Sequence, residues 1–181
     1  ICSRDWSSDV CSSDLAIAAR FAHLQPAVVS RGYRGLLSAR GAQVDLSQAD
    51  GPRQFGDEPW MLARRLNAPV FIGRARGRAL LQAEAHHRAG FLLLDDAFQN
   101  FSFRHDLNLV AIQADRDLRE ANCLPLGELR EPLLSLRAAS AVVLVVGQDA
   151  LSLARWKAYL ASNFPQLPIF EARPQVEGVW G

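Results

Sequence analysis

Two apolar runs constrain this chain more than anything else in it: FLLLDD at 91–96 and AVVLVVG at 141–147. A strand with one wet face alternates apolar and polar residues, whereas a run apolar at every position covers both faces. Such strands belong inside a parallel sheet with helices packed on either side. Four further segments read as strands: Ala27 to Ser30, PVFIG at 69–73, NLVAIQAD at 108–115 and LPIFEA at 167–172. Helical patterns lie between them. LAIAARFAHLQP ends an amphipathic helix before Pro26, and GDEPWMLARRL starts another with Pro59 in its first turn and Leu62 and Leu66 one turn apart. Arg76 to His87 reads as a third helix, and Leu153, Trp156, Leu160 and Phe164 mark a fourth over 150–163. The alternation predicts a doubly wound, mostly parallel α/β sheet with flanking helices. Ligands of such sheets bind beyond the carboxyl ends of the strands, where strand order reverses.

Composition narrows the function classes. A net charge of +1 gives no electrostatic footprint for nucleic acid, and no run of about 18 apolar residues is present. The three cysteines, at positions 2, 11 and 123, form no CxxC pair, which argues against a zinc site or a disulfide framework and makes a reducing, cytoplasmic setting the expectation. The opening ICSRDWSSDVCSSD repeats Ser-Ser-Asp without helical or strand periodicity. It resembles a translated sequencing adapter and is set aside as residues 1–14, with a native flexible tail as the alternative.

The chemistry-bearing residues fall after strands or at helix starts. Asp95 and Asp96 end an apolar strand, where an acid can hold Mg²⁺ while the metal neutralises phosphate charge; a capped turn with one solvated acid is the bland alternative. Asp57 and Glu58 begin a helix. They read as an N-terminal cap with a favourable dipole contact, or as a general base and a metal contact. SRGYRG sets Arg31 and Arg34 around glycines, and LPLGELREPL points Arg130 from a loop between prolines. Either can meet an anion, and either can be an ordinary exposed loop. The four histidines have no partners at metal spacing, and no GxSxG elbow occurs.

Taken in order, SRGYRG (30–35), GDEP (56–59), LLLDDAFQN (92–100), RHDLNLVAIQAD (104–115) and LPLGELREP (124–132) resemble the tetraacyldisaccharide 4′-kinases, the lipid A 4′-kinases of Gram-negative bacteria. The resemblance implies a P-loop-type α/β fold and transfer of the γ-phosphoryl group of ATP to the 4′-hydroxyl of a disaccharide-1-phosphate lipid. It implies ATP and Mg²⁺ as cofactors and the cytoplasmic face of the inner membrane as the place of work of the full-length family. Matching motif to motif, Asp57 and Asp96 would be catalytic, Glu58, Asp95 and Asp96 would serve the metal, and Arg31, Arg34 and Arg130 would face phosphates.

Two residues depart from the family pattern DDGFQH. Ala97 replaces a glycine, restricting a backbone that would need positive φ, and Asn100 replaces a histidine and cannot supply imidazole chemistry. A GxxxxGK[ST] run is absent from the 181 residues. The expectation is therefore a fragment: 15–178 a partial kinase core, 179–181 the start of a C-terminal part, and no turnover by this polypeptide. The alternative from another class is a non-catalytic, Mg²⁺-binding receiver-like module. That module requires a lysine near the acid pair, and the chain's one lysine is Lys157.

Overall fold

The computed structural model describes residues 10–86, 90–100, 102–127 and 129–173; His87 and the closing stretch 179–181, both named above, lie outside them. The described residues divide between Phe103 and Arg104 into two compact units.

The first unit is built on a four-stranded sheet in the order β2-β3-β1-β4. Helix α1 (Val10–Arg20) precedes β1 (Ala27–Ser30), then come β2 (Ala42–Gln43), α2 (Gly51–Phe55), α3 (Asp57–Arg65), β3 (Val70–Ile72), α4 (Arg76–His86) and β4 (Leu92–Leu94). The parallel strands β3 and β4 flank β1, with Val28 opposite Val70 and Leu93, and β2 runs antiparallel along β3. Alternate residues of β1 explain why helices cover both faces. Val28 joins Val70, Ile72, Phe55 and Leu62 on the face of α2 and α3, where Leu15 of α1 also packs. Ala27 and Val29 join Phe71, Ala79 and Ala83 on the face of α4.

The central position expected for FLLLDD is held by β1, all four residues of which are buried. β4 is the outermost strand of this sheet, and its leucines are only half-buried, because they pair with β1 along one edge alone. The run β2 and the five-residue α2 are too short to carry a period, and the sequence pattern shows neither.

The second unit carries a three-stranded parallel sheet, β5 (Leu109–Gln113), β6 (Ala141–Val145) and β7 (Ile169–Ala172), in that order. AVVLVVG supplies its central strand, buried at four of five positions. Helix α5 (Ala150–Asn163) crosses from β6 to β7. Its first turn is capped by Asp149, which accepts from the amides of Leu151 and Ser152, and Trp156 donates to the Arg116 carbonyl at 2.8 Å. The mixed α/β class with parallel sheets thus stands, with its strands distributed over two sheets.

Candidate active site

At the carboxyl edge of the first sheet, three strands deliver their ends to one place. β1 ends on Ser30, β3 leads through Gly73 into α4 and its first residue Arg76, and β4 leads directly into Asp95. The Ser30 hydroxyl donates to Asp95 Oδ2 at 2.8 Å, and the Asp95 amide donates to the Val29 carbonyl at 3.0 Å, so backbone and side chain both tie Asp95 to β1. Asp95 is 3% exposed. The Arg76 Nη2 donates to the carbonyls of Asp95 and Asp96, at 2.9 and 2.6 Å. Asp96 takes the left-handed conformation, φ 47°, and the chain then turns through Ala97 to Asn100, whose amide donates to the Ala97 carbonyl at 2.8 Å.

The position where the family pattern has glycine is therefore not where the backbone turns left-handed. Among the described residues Ala97 is absent from those with positive φ, and its side chain is buried. The strain expected at Ala97 falls instead on Asp96, a residue type that tolerates this region.

The SRGYRG and GDEP segments meet through their glycines. A Cβ on Gly35 would stand 2.5 Å from the Phe55 carbonyl carbon, and one on Gly56, at φ 95°, would stand 2.7 Å from the Tyr33 oxygen. Only backbones without side chains approach so closely. This contact places the first turn of α3, with exposed Asp57 and half-buried Glu58, beside the loop that follows β1. In that loop Arg31 and Arg34 are exposed, and the Arg34 guanidinium lies 5.3 Å from the centre of the Tyr33 ring. Arg130 belongs to the second unit, where it is exposed.

The electrostatics of the edge are dominated by burial. Desolvation, then the charge of Glu58, pushes the Asp95 carboxyl up to about 6; the Ser30 hydrogen bond pulls it back, Asp96 adds to the rise, and Arg76 opposes it. Asp14, from the second turn of α1, is 8% exposed and hydrogen-bonds Asp95. Its carboxyl is driven well above the ordinary range by burial first, then by the charges of Asp95 and Glu58, and its Oδ2 has no hydrogen-bond partner.

Four acids, Asp14, Glu58, Asp95 and Asp96, thus gather around one strand end, and their charges add to the rise at Asp14 and Asp95. An oxygen-only donor set with excess negative charge and an orphaned buried acceptor fits a hard divalent cation. As placed, no three His, Cys, Asp or Glu side chains among the described residues converge on a common metal point. Mg²⁺ commonly takes one or two protein carboxylates and fills its shell with waters and substrate phosphate oxygens.

The structure therefore gathers Glu58, Asp95 and Asp96, sets Asp57 at the neighbouring helix start, and adds three residues that the sequence pattern does not single out. Ser30 is 65 positions from Asp95, so no local motif links them. Arg76 opens an unremarkable helix. Asp14 lies in the stretch set aside for its lack of periodicity, although residues 10–14 form the first turns of α1.

Comparison with known proteins follows this geometry. The tetraacyldisaccharide-1-P 4′-kinase family profile matches residues 13–177. A tetraacyldisaccharide 4′-kinase of Syntrophobacter fumaroxidans is 38% identical over 154 residues, covering 84% of this chain and 40% of that protein. One of Bradyrhizobium sp. is 40% identical over 124 residues, covering 68% and 36% respectively. The crystal structure of LpxK from Aquifex aeolicus in complex with ATP superposes with a TM-score of 0.72 at 26% identity, over 91% of this chain and 49% of that one. The chain spans about two fifths of the length of the curated relatives it matches.

Proposed function

Because this chain belongs to the tetraacyldisaccharide-1-P 4′-kinase family, we propose that it carries the metal-binding half of a site that moves the γ-phosphoryl group of ATP to the 4′-hydroxyl of a tetraacyldisaccharide 1-phosphate. The observation that carries this reading is the buried Asp95, held by Ser30 and ringed by Asp14, Glu58 and Asp96 at the carboxyl edge of a parallel sheet.

Asp95 and Asp96, with Glu58 nearby, would hold Mg²⁺, which supplies neutralisation of the charge on the β- and γ-phosphate oxygens. Asp57, on the exposed first turn of α3, is the general base. It takes the 4′-hydroxyl proton as that oxygen bonds to the γ-phosphorus and the bond to the ADP oxygen breaks. Exposure leaves Asp57 reachable by a bulky alcohol. Arg31 and Arg34 extend from the loop packed against α3 and offer guanidinium groups to phosphate oxygens; Arg130, in the second unit, is assigned to phosphate by its motif alone. Asn100 leaves this turn without an imidazole.

The substrate class implies work at the cytoplasmic face of the bacterial inner membrane. Among the described residues no helix is long and apolar enough to cross a membrane. The one lysine that the receiver-like alternative could use, Lys157, pairs with Glu171 at 2.6 Å.

A phosphoryl-transfer site works by positioning and electrostatics, and the 181 residues hold no GxxxxGK[ST] run to cradle the β- and γ-phosphates. The 181-residue polypeptide on its own is therefore expected to be inactive yet still to bind Mg²⁺. Incubating it with radiolabelled ATP, Mg²⁺ and the disaccharide 1-phosphate should leave the lipid unlabelled; labelled lipid would overturn the inactivity. Loss of Mg²⁺ binding in the wild-type chain would overturn the assignment of the acids.

A further inference from the structure

We infer that Arg76 is a positioning residue that fixes the Asp95–Asp96 turn by gripping its two successive carbonyls. The inference rests on the reading of that turn as the metal-binding half of a kinase site.

Arg76 breaks two local rules at once. It is a cation in the first turn of α4, where the helix dipole is positive, and it is 8% exposed, although arginine is seldom buried without a compensating partner. Residues that contradict local preference need an offsetting role. The offset lies in its hydrogen bonds: one nitrogen, Nη2, donates to Asp95 O at 2.9 Å and to Asp96 O at 2.6 Å. These are charge-assisted bonds to neutral acceptors, one buried and one part-buried, and stronger than ordinary amide bonds.

Their geometry specifies a backbone shape. Along a strand, successive carbonyls point in opposite directions, so two neighbours can face one donor only where the chain leaves extended geometry. That departure is the left-handed φ of 47° at Asp96. Arg76 therefore holds the chain in a conformation that a non-glycine residue adopts reluctantly, and this conformation decides where the Asp95 and Asp96 carboxylates point.

The grip is anchored in the core. Ala79 and Ala83 of α4 are fully buried against Ala27, Val29 and Phe71, so the helix that carries Arg76 is fixed to the central strands β1 and β3. The chain of support runs from sheet to α4, from α4 to the guanidinium, and from the guanidinium to the acid turn. Arg78, two residues further along the same helix, is exposed and serves as the control.

The test uses the 181-residue chain and two readouts: Mg²⁺ affinity by calorimetry, and hydrogen exchange at the amides of Asp95 and Asn100. Arg76→Ala should speed exchange at both amides at least about tenfold and weaken Mg²⁺ about ten- to a hundredfold, the usual cost of losing a group that orients a metal ligand. Arg78→Ala should change neither. Arg76→Lys keeps the charge and lacks the planar guanidinium. It should recover the melting temperature more fully than the turn protection or the metal affinity, and it carries the test if the alanine variant does not fold. Unchanged exchange in both Arg76 variants overturns the grip. Full recovery of Mg²⁺ affinity in Arg76→Lys while the turn still exchanges fast also overturns it, since charge alone then suffices. If the wild-type chain binds no Mg²⁺, the kinase-site reading fails, and exchange at the turn still decides whether Arg76 holds it.

Discussion

At the scale of single residues, Asp95 and Asp14 make the fold sensitive to pH in an unusual direction. Paired surface carboxylates normally lose stability on acidification. Here burial raises Asp95 from the ordinary 3.8 to about 6, so the folded chain binds this proton more tightly than the unfolded chain does. Its contribution is complete below about pH 4 and declines as pH rises through about 6, by on the order of 2–3 kcal/mol. Asp14 moves in the same direction. Thermal melts of Asp14→Asn against the wild type should therefore show the variant more stable at pH 7.5 by several degrees, with the advantage shrinking toward pH 4; an equal shift at both pH values contradicts the buried-charge account. A second consequence concerns Ser30. Removing its hydroxyl in Ser30→Ala deletes a bond that favours the ionised form, so the Asp95 carboxyl, followed by carbon-13 NMR, should titrate above its wild-type midpoint. The adjacent acids were legible in the sequence because two carboxylates after four apolar residues demand an explanation. Asp14, Ser30 and Arg76 were not, because each acquires its partner only when α1, β1 and α4 come to the same sheet edge.

At the scale of elements, two glycines separate close packing from mere helix propensity. Gly35 has an ordinary φ of −69°, so its requirement is purely steric: a Cβ would meet backbone atoms of Phe55 and Gly56 at 2.5 to 2.9 Å. Gly35→Ala should push the SRGYRG loop off the start of α3 and cost about 1–3 kcal/mol in chemical denaturation. Gly77, in α4, has nothing within 4 Å of a built Cβ, and Gly77→Ala should stabilise by about 0.5–1 kcal/mol. A destabilised Gly77→Ala or an unaffected Gly35→Ala would contradict this packing. Element existence was legible wherever periodicity was long. The helix expected over 150–163 coincides with α5 (Ala150–Asn163), and GDEP begins α3 with Pro59 buried in its first turn. Strand rank was less legible. AVVLVVG is central to its sheet whereas FLLL is outermost, since an apolar run records what surrounds a strand on its faces and says little about how many edges are paired.

At the scale of the whole molecule, the first unit brings GDEP, SRGYRG and LLLDDAFQN together at one sheet edge, while LPLGELREP belongs to the second unit. Five motifs lie along the chain in the family's order; the meeting of GDEP, SRGYRG and LLLDDAFQN within the first unit is not contained in that order. β4 is the outermost strand of the first sheet, with Leu92–Leu94 half-buried. On the proposed reading, the four acids at the carboxyl edge are tolerated because a divalent cation completes them. Calorimetric titration of Mg²⁺ into the 181-residue chain at pH 7.5, repeated with Asp95→Asn and Asp96→Asn, tests this most directly. Binding to the wild type should be saturable and weaken at least about tenfold in either variant; absent binding, or equal binding by all three chains, would rule out the acid edge as a cation site.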